Sequence, residues 1–192
     1  VHCGWLNVPV PAAEEIVPET KDWTWVLDRR CPECGLVSSD LEFASLPGLL
    51  KESALRFGDA MRHVGDVRLR PDPRTWSVLE YACHVRDVHR VFAERLRAML
   101  AADRPTFANW DQDATAVESA YATQDPVEVE VELLEAAAEV AALYAGVTAE
   151  QQERSGLRSN GSEFTVRTLG QYHLHDVLHH LHDIGCDDVG RA

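Results

Sequence analysis

Basic charge is what this chain most conspicuously lacks. Its 18 Lys+Arg stand against 32 Asp+Glu, for a formal net charge of −14 and a pI of about 5.0. Affinity for nucleic acid rests largely on cations that neutralise phosphates, and no basic stripe interrupts the acidic field. Nucleic acid is therefore excluded as a partner, and an anionic membrane surface with it. No apolar run approaches the ~20 residues of a membrane span. No basic segment followed by an apolar one opens the sequence, so no signal peptide is expected. Internal repeats and low-complexity tracts are also missing. Cysteine is scarce and odd in number: Cys3, Cys31, Cys34, Cys83 and Cys186. That is no disulfide framework, and it points to a reducing cytoplasm, with Cys83 and Cys186 read as small core residues.

What is present suits one folded domain. The chain has 192 residues, 45% of them hydrophobic, enough for a core without covalent staples. Residues 1–39 read as an extended arm, because Pro9, Pro11, Pro18 and Pro32 each deny a helix its N–H. Trp23 and Trp25 are expected to pin that arm to the body, and Cys31-Pro32-Glu33-Cys34-Gly35 to form a compact turn. Residues 40–192 form the body. A first helix is predicted at about 46–64. A second runs from Ser77-Val78-Leu79-Glu80, a capping box with Trp76 as its staple, to about 101. Asp125-Pro126-Val127-Glu128 combines an N-cap, a proline at N1 and an acid at N3, so a third helix runs from there to about 153. Residues 102–124 read as a polar connection and 155–163 as a turn. A fourth helix runs from Thr165 to Gly185. The fold class is all-α, a four-helix bundle with an extended N-terminal arm.

Five of the nine histidines fall between residues 173 and 182. On a helix, positions i, i+4 and i+7 share a face, so His175, His179 and His182 line up beside the stripe Leu174, Leu178 and Leu181, which should face the core. A His-x3-His pair lets two imidazoles grip one divalent ion. A third ligand must come from another helix; His84 is the best placed, with His89 in reserve. Three imidazoles would hold Zn²⁺, Ni²⁺ or Fe²⁺ and leave positions open for Lewis-acid chemistry. Asp176 and Asp183 could orient the rings. Against this stands the plainer reading of hydrogen-bonded core histidines. Cys31-x2-Cys34 admits three readings: two buried free thiols, half a zinc knuckle completed by His2 and Cys3, or a redox pair. Trp110, Asp111 and Asp113 could cap a pocket, although a surface loop anchored by one tryptophan is simpler. Arg86 and Arg90 read as solvated, as do Glu128, Glu130 and Glu132.

The residues Trp76-Ser77-Val78-Leu79-Glu80-Tyr81-Ala82-Cys83-His84, with His175-Asp176-x-x-His179-His180-Leu181-x-Asp183-Ile184, resemble the DinB/YfiT-like superfamily of four-helix-bundle metalloproteins over about residues 40–186. The resemblance implies a divalent metal held by His84, His175 and His179. It also implies activity of the kind found among its members: transferases and isomerases that use bacillithiol or mycothiol bound through the metal, and some hydrolases. The mycothiol-dependent maleylpyruvate isomerase type differs in carrying Glu-x3-His where His175 and His179 stand. A glutamine common near the end of the last helix is replaced by the His182/Asp183 region. High Arg over Lys with abundant Ala suggests a GC-rich bacterial source, where mycothiol would be the natural thiol. The expected function is transfer or isomerisation of a small electrophile by a metal-activated thiol, with His182 or Asp176 shuttling a proton. The alternatives are a stress-response or binding module with a structural metal, and a metal-dependent hydrolase. The expected partner is a small-molecule substrate, and the assembly admits a homodimer.

Overall fold

The computed structural model describes residues 22–186. Among the described residues five α-helices and three short strands follow in order: α1 (Leu46–His63), α2 (Val78–Ala101), β1 (Thr106–Phe107), α3 (Gln112–Glu118), α4 (Pro126–Ala145), β2 (Ser155–Arg158), β3 (Glu163–Thr165) and α5 (Val166–Asp183). The long helices α1, α2, α4 and α5 form the expected bundle. Both α1 and α2 pack on α4, and α5 closes the bundle against α1 and α2. Leu50, Phe57, Leu79, Leu96, Leu133, Val140, Leu169 and Leu174 fill its fully buried centre. Among the described residues no helix is long and apolar enough to cross a membrane.

The caps explain where the helices begin. The Ser77 side chain accepts from the Glu80 N–H, and Glu80 accepts from the Ser77 N–H, closing the capping box of α2. Trp76 packs on Tyr81 at 5.6 Å between ring centroids, the staple one turn below His84. Asp125 accepts from the N–H groups of Val127 and Glu128 at the start of α4. The end of α5 is equally determined. Gly185, at φ +67°, donates its N–H to His182, and the Cys186 N–H reaches Leu181, so two terminal carbonyls are satisfied.

Four expectations are corrected. Helix α4 stops at Ala145 rather than near 153. The Gly146 N–H closes the last turn, and Thr148 and Gln151 then cap each other to start a separate 3₁₀ turn at Gln151–Glu153. The connection 102–124 is not irregular: it contains β1 and α3. The turn at 155–163 is the hairpin β2–β3, antiparallel, with β1 added in parallel to give the order β1-β2-β3. Finally, Cys186 is buried as expected but is disulfide-bonded, not a free thiol.

Residues 22–45 lie across α5 in three 3₁₀ turns, Trp23–Leu27, Ser38–Asp40 and Phe43–Ser45. This brings the Cys31–Cys34 turn against the histidine-rich end of the bundle.

Candidate metal centre

One helix carries two donor pairs, each spaced by four residues. His175 and His179 form one, Asp176 and His180 the other, offset by about 100° around α5. Each pair meets a different partner. His84, Asp176 and His180 offer one donor atom each within 4.8 Å of one another, and Cys31, Cys34, His175 and His179 do the same.

The first group sits between α2 and α5. The His84 ring is fully buried, and its Nε2 lies 3.5 Å from Asp176 Oδ1. His180 Nε2 lies 3.4 Å from the same oxygen. Neither ring nitrogen of His84, nor Asp176 Oδ1, has a hydrogen-bond partner. Buried polar atoms without partners cost about 1–3 kcal/mol each, and His84 Nε2, Asp176 Oδ1 and His180 Nε2 come together as donors to a cation would. The set fits a divalent metal: two imidazoles and one carboxylate, with the remaining positions open. His180 is held from behind, because its Nδ1 bonds Asp183 Oδ2 at 2.8 Å, the carboxylate–imidazole arrangement that fixes a ligand ring. Electrostatics agree with the geometry. Burial works to raise Asp176, but His84 and His180 outweigh it and hold the carboxyl well below the usual range. Burial lowers His84, keeping its nitrogens free to donate electron pairs. Burial opposes the charge on His180 too, but Asp183 and Asp176 raise it.

Two indoles shield this point. Trp110 stacks on His84 at 5.3 Å and 9° and anchors its own Nε1–H on Thr115, and Trp76 meets His84 edge-on at 5.3 Å. The 102–124 segment therefore caps the site, the less simple of the two readings of Trp110. Beside it opens a cavity of about 530 Å³. Asp176, His180, Tyr81, Trp76, Asp113 and Arg74 line it, and the arm contributes Trp23 and Glu33.

The second group joins the arm to α5. Cys31 Sγ lies 3.7 Å from His179 Nδ1, and Cys34 Sγ lies 3.7 Å from His175 Nε2. Both cysteines are free. His175 and His179 are nearly fully buried, and burial holds His175 down to about 4. Trp23 packs over His179 at 4.9 Å and stacks on Trp25, so the tryptophans do pin the arm.

The structure thus brings His175 and His179 together, and groups His84 with Asp176 and His180. Asp176, read as an orienting carboxylate or proton carrier, is itself a candidate ligand. His182 is half-buried beside His179, 6.4 Å between ring centroids, and does not line the cavity. His89 donates to or accepts from His173 Nε2 at 2.9 Å inside the core, away from the cluster. Arg86 is buried, not solvated, and bonds Asp87, Gln124 and Glu132. Cys83 is buried, as expected of a small core residue, and its sulfur points at Gln124. His2 and Cys3, once considered as partners of the Cys31–Cys34 turn, lie outside the described residues.

A family model described as the DinB superfamily matches residues 59–184. A solved structure, YfiT from Bacillus subtilis, superposes with a TM-score of 0.66 at 22% identity, covering 73% of this chain and 82% of that one. YfiT is described as a probable metal-dependent hydrolase with an unusual four-helix bundle topology. No curated protein matches the chain.

Proposed function

The chain belongs to the DinB superfamily, and from that premise we propose that it is a metal-dependent enzyme that delivers an activated nucleophile to a small electrophile in the cavity beside His84, Asp176 and His180. The observation that carries this reading is the convergence of His84 Nε2 and Asp176 Oδ1, both buried and unpartnered, with His180 Nε2, beside a cavity that Asp176 and His180 line and that is large enough for a small molecule.

A divalent cation bound there supplies Lewis acidity, lowering the pKa of a ligated water or thiol toward neutrality. The chain's own groups do the rest. Asp183 holds the proton on His180 Nδ1 and so commits Nε2 to donate its lone pair. Trp76 and Trp110 keep water from the His84 side, which strengthens every charge interaction in the pocket. On the cavity wall, Arg74 offers a cation for a polar or anionic part of the substrate, and Asp113 a carboxylate that can accept a proton.

The nucleophile is the finer question. A low-molecular-weight thiol such as mycothiol follows from the family resemblance. Water follows from the likeness to YfiT, whose description is hydrolytic. Among the described residues no cysteine belongs to the His84 group, so a thiol must enter from outside.

The test is a panel of activated esters, amides and alkylating electrophiles. Each is given to zinc- or nickel-loaded protein with and without added thiol. Turnover that vanishes in His84→Ala and His180→Ala supports the reading, and dependence on added thiol selects transfer over hydrolysis. Equal rates in parent and variants would defeat it.

A further inference from the structure

The second donor cluster shares no ligand with the first, although His175 and His179 help to line the same cavity. We infer that Cys31, Cys34, His175 and His179 form a second metal centre, a four-ligand zinc site that fastens the N-terminal arm to α5.

The donor chemistry is specific. Two sulfurs and two imidazole nitrogens are the set that zinc takes in structural sites and that magnesium and calcium avoid. The spacing fits as well. Zinc bonds of about 2.3 Å to sulfur and 2.05 Å to nitrogen, at a tetrahedral angle, separate the two atoms by about 3.6 Å. The two sulfur–nitrogen distances here are both 3.7 Å. All four donors lie within 4.8 Å of one another.

The surroundings support the same assignment. The Cys31–Cys34 turn is closed by the Gly35 N–H on Cys31 O and the Cys31 N–H on Leu36 O, with Gly35 at φ +77°, where a side chain would be strained. His179 turns Nδ1 to the Cys31 sulfur, and its Nε2 faces Glu33 at 3.3 Å and Asp183 at 3.7 Å. Those carboxylates orient the ring as Asp183 orients His180 in the neighbouring group.

Four protein ligands leave no position for substrate, so this centre is structural. Its consequence is positional. It holds Trp23 and Glu33, two residues of the cavity wall, against a bundle to which only this arm connects them. Binding releases protons from the two thiols, and loss of the ion should loosen the arm.

Cobalt titration of the full reduced chain tests the assignment. Thiolate ligation gives a near-ultraviolet charge-transfer band, with intense visible bands for a tetrahedral ion. The His84 group contains no sulfur and cannot produce the charge-transfer band. The expected result is that one equivalent builds the band in the parent and in His84→Ala. In Cys34→Ser the band should be lost, and the rise of the thermal midpoint on adding zinc should be smaller than in the parent. Cys34 is only half-buried, so this variant is the one expected to fold, and circular dichroism verifies that. Absence of the band in the reduced parent, or its survival in both Cys31→Ser and Cys34→Ser, overturns the proposal. Failure of the proposed enzymatic function would leave the band in place, so the two are separable.

Discussion

Glu80 links the sequence signal for α2 to the position of His84, and its removal should be costly. Its carboxylate is 4% exposed. Oε2 accepts from the Ser77 N–H at 2.9 Å and from Arg70 Nε at 2.9 Å, and Arg70 Nη2 bonds the other oxygen. In Glu80→Ala the Ser77 N–H loses its partner in a fully buried setting, worth about 1–3 kcal/mol. Breaking a buried ion pair costs about 3–5 kcal/mol, at the low end here because the Arg70 side chain keeps 23% of its surface in water. The two losses share one side chain and do not add, so the expected cost is about 4 kcal/mol. At about 2–4 °C per kcal/mol for a chain of this size, the thermal midpoint should fall by about 8–16 °C. The pH dependence has a definite sign. Burial works to raise Glu80, but Arg70 and Ser77 bring its pKa below the usual glutamate value. A lowered folded-state pKa gives stability that is present above the unfolded value and is lost as pH falls through the lowered one. The gap between parent and variant, measured by urea unfolding, should therefore be full at pH 7 and shrink in acid. A variant within about 1 kcal/mol of the parent at pH 7, or a gap that widens in acid, would refute this account of how α2 is anchored.

Other perturbations probe other links. A Cβ at Gly170 would lie 2.4 Å from Leu46 Cδ1 and 3.2 Å from Tyr144. Gly170→Ala should therefore destabilise by about 1–3 kcal/mol in urea unfolding, despite the gain in helix propensity; a stabilised variant would show that α1 and α5 do not pack this closely. Burial holds His89 down to about 3, so the unfolded chain takes that proton first and stability falls as pH drops from about 6.5. His89→Leu should flatten the pH slope of unfolding in that window by up to about 1.4 kcal/mol per pH unit, and an unchanged slope would count against a neutral buried ring. Asp183→Asn, which weakens the hold on His180 Nδ1, should cut metal affinity at the His84 group by about 10–100-fold, read by competition with a chelating dye. With Trp110 and Trp76 both packed on His84, cobalt should quench tryptophan emission, and Trp110→Phe should remove part of that quenching.

Local chemistry made the bundle legible. The capping box at Ser77, the Asp125-Pro126 start and the Gly185 stop each act within a few residues, and each terminus they set lies where those residues placed it. The end of α4 was harder to read because the Ala- and Glu-rich run continues past Gly146 with helical propensity, and the break depends on the Thr148–Gln151 caps. Strands of two to four residues carry too little alternation to be recognised, so the β1-β2-β3 sheet left no signal. At the site, the period of a helix identified a face but could not decide between two registers. His175/His179 and Asp176/His180 both have the i, i+4 spacing. What separates them is non-local: His84 reaches Asp176 across the bundle, and Cys31 reaches His179 across 148 residues. The burial of Arg86 follows from contacts 38 and 46 residues away, which no window of sequence contains.

The most direct test of the central claim is metal content, measured on protein loaded with zinc and freed of excess by desalting. The parent should retain one more ion per chain than the double variant His84→Ala/His180→Ala, while both keep the ion of the cysteine-containing cluster. The same metal-to-protein ratio in the two would mean that His84, Asp176 and His180 hold no cation, and the proposed chemistry would be wrong.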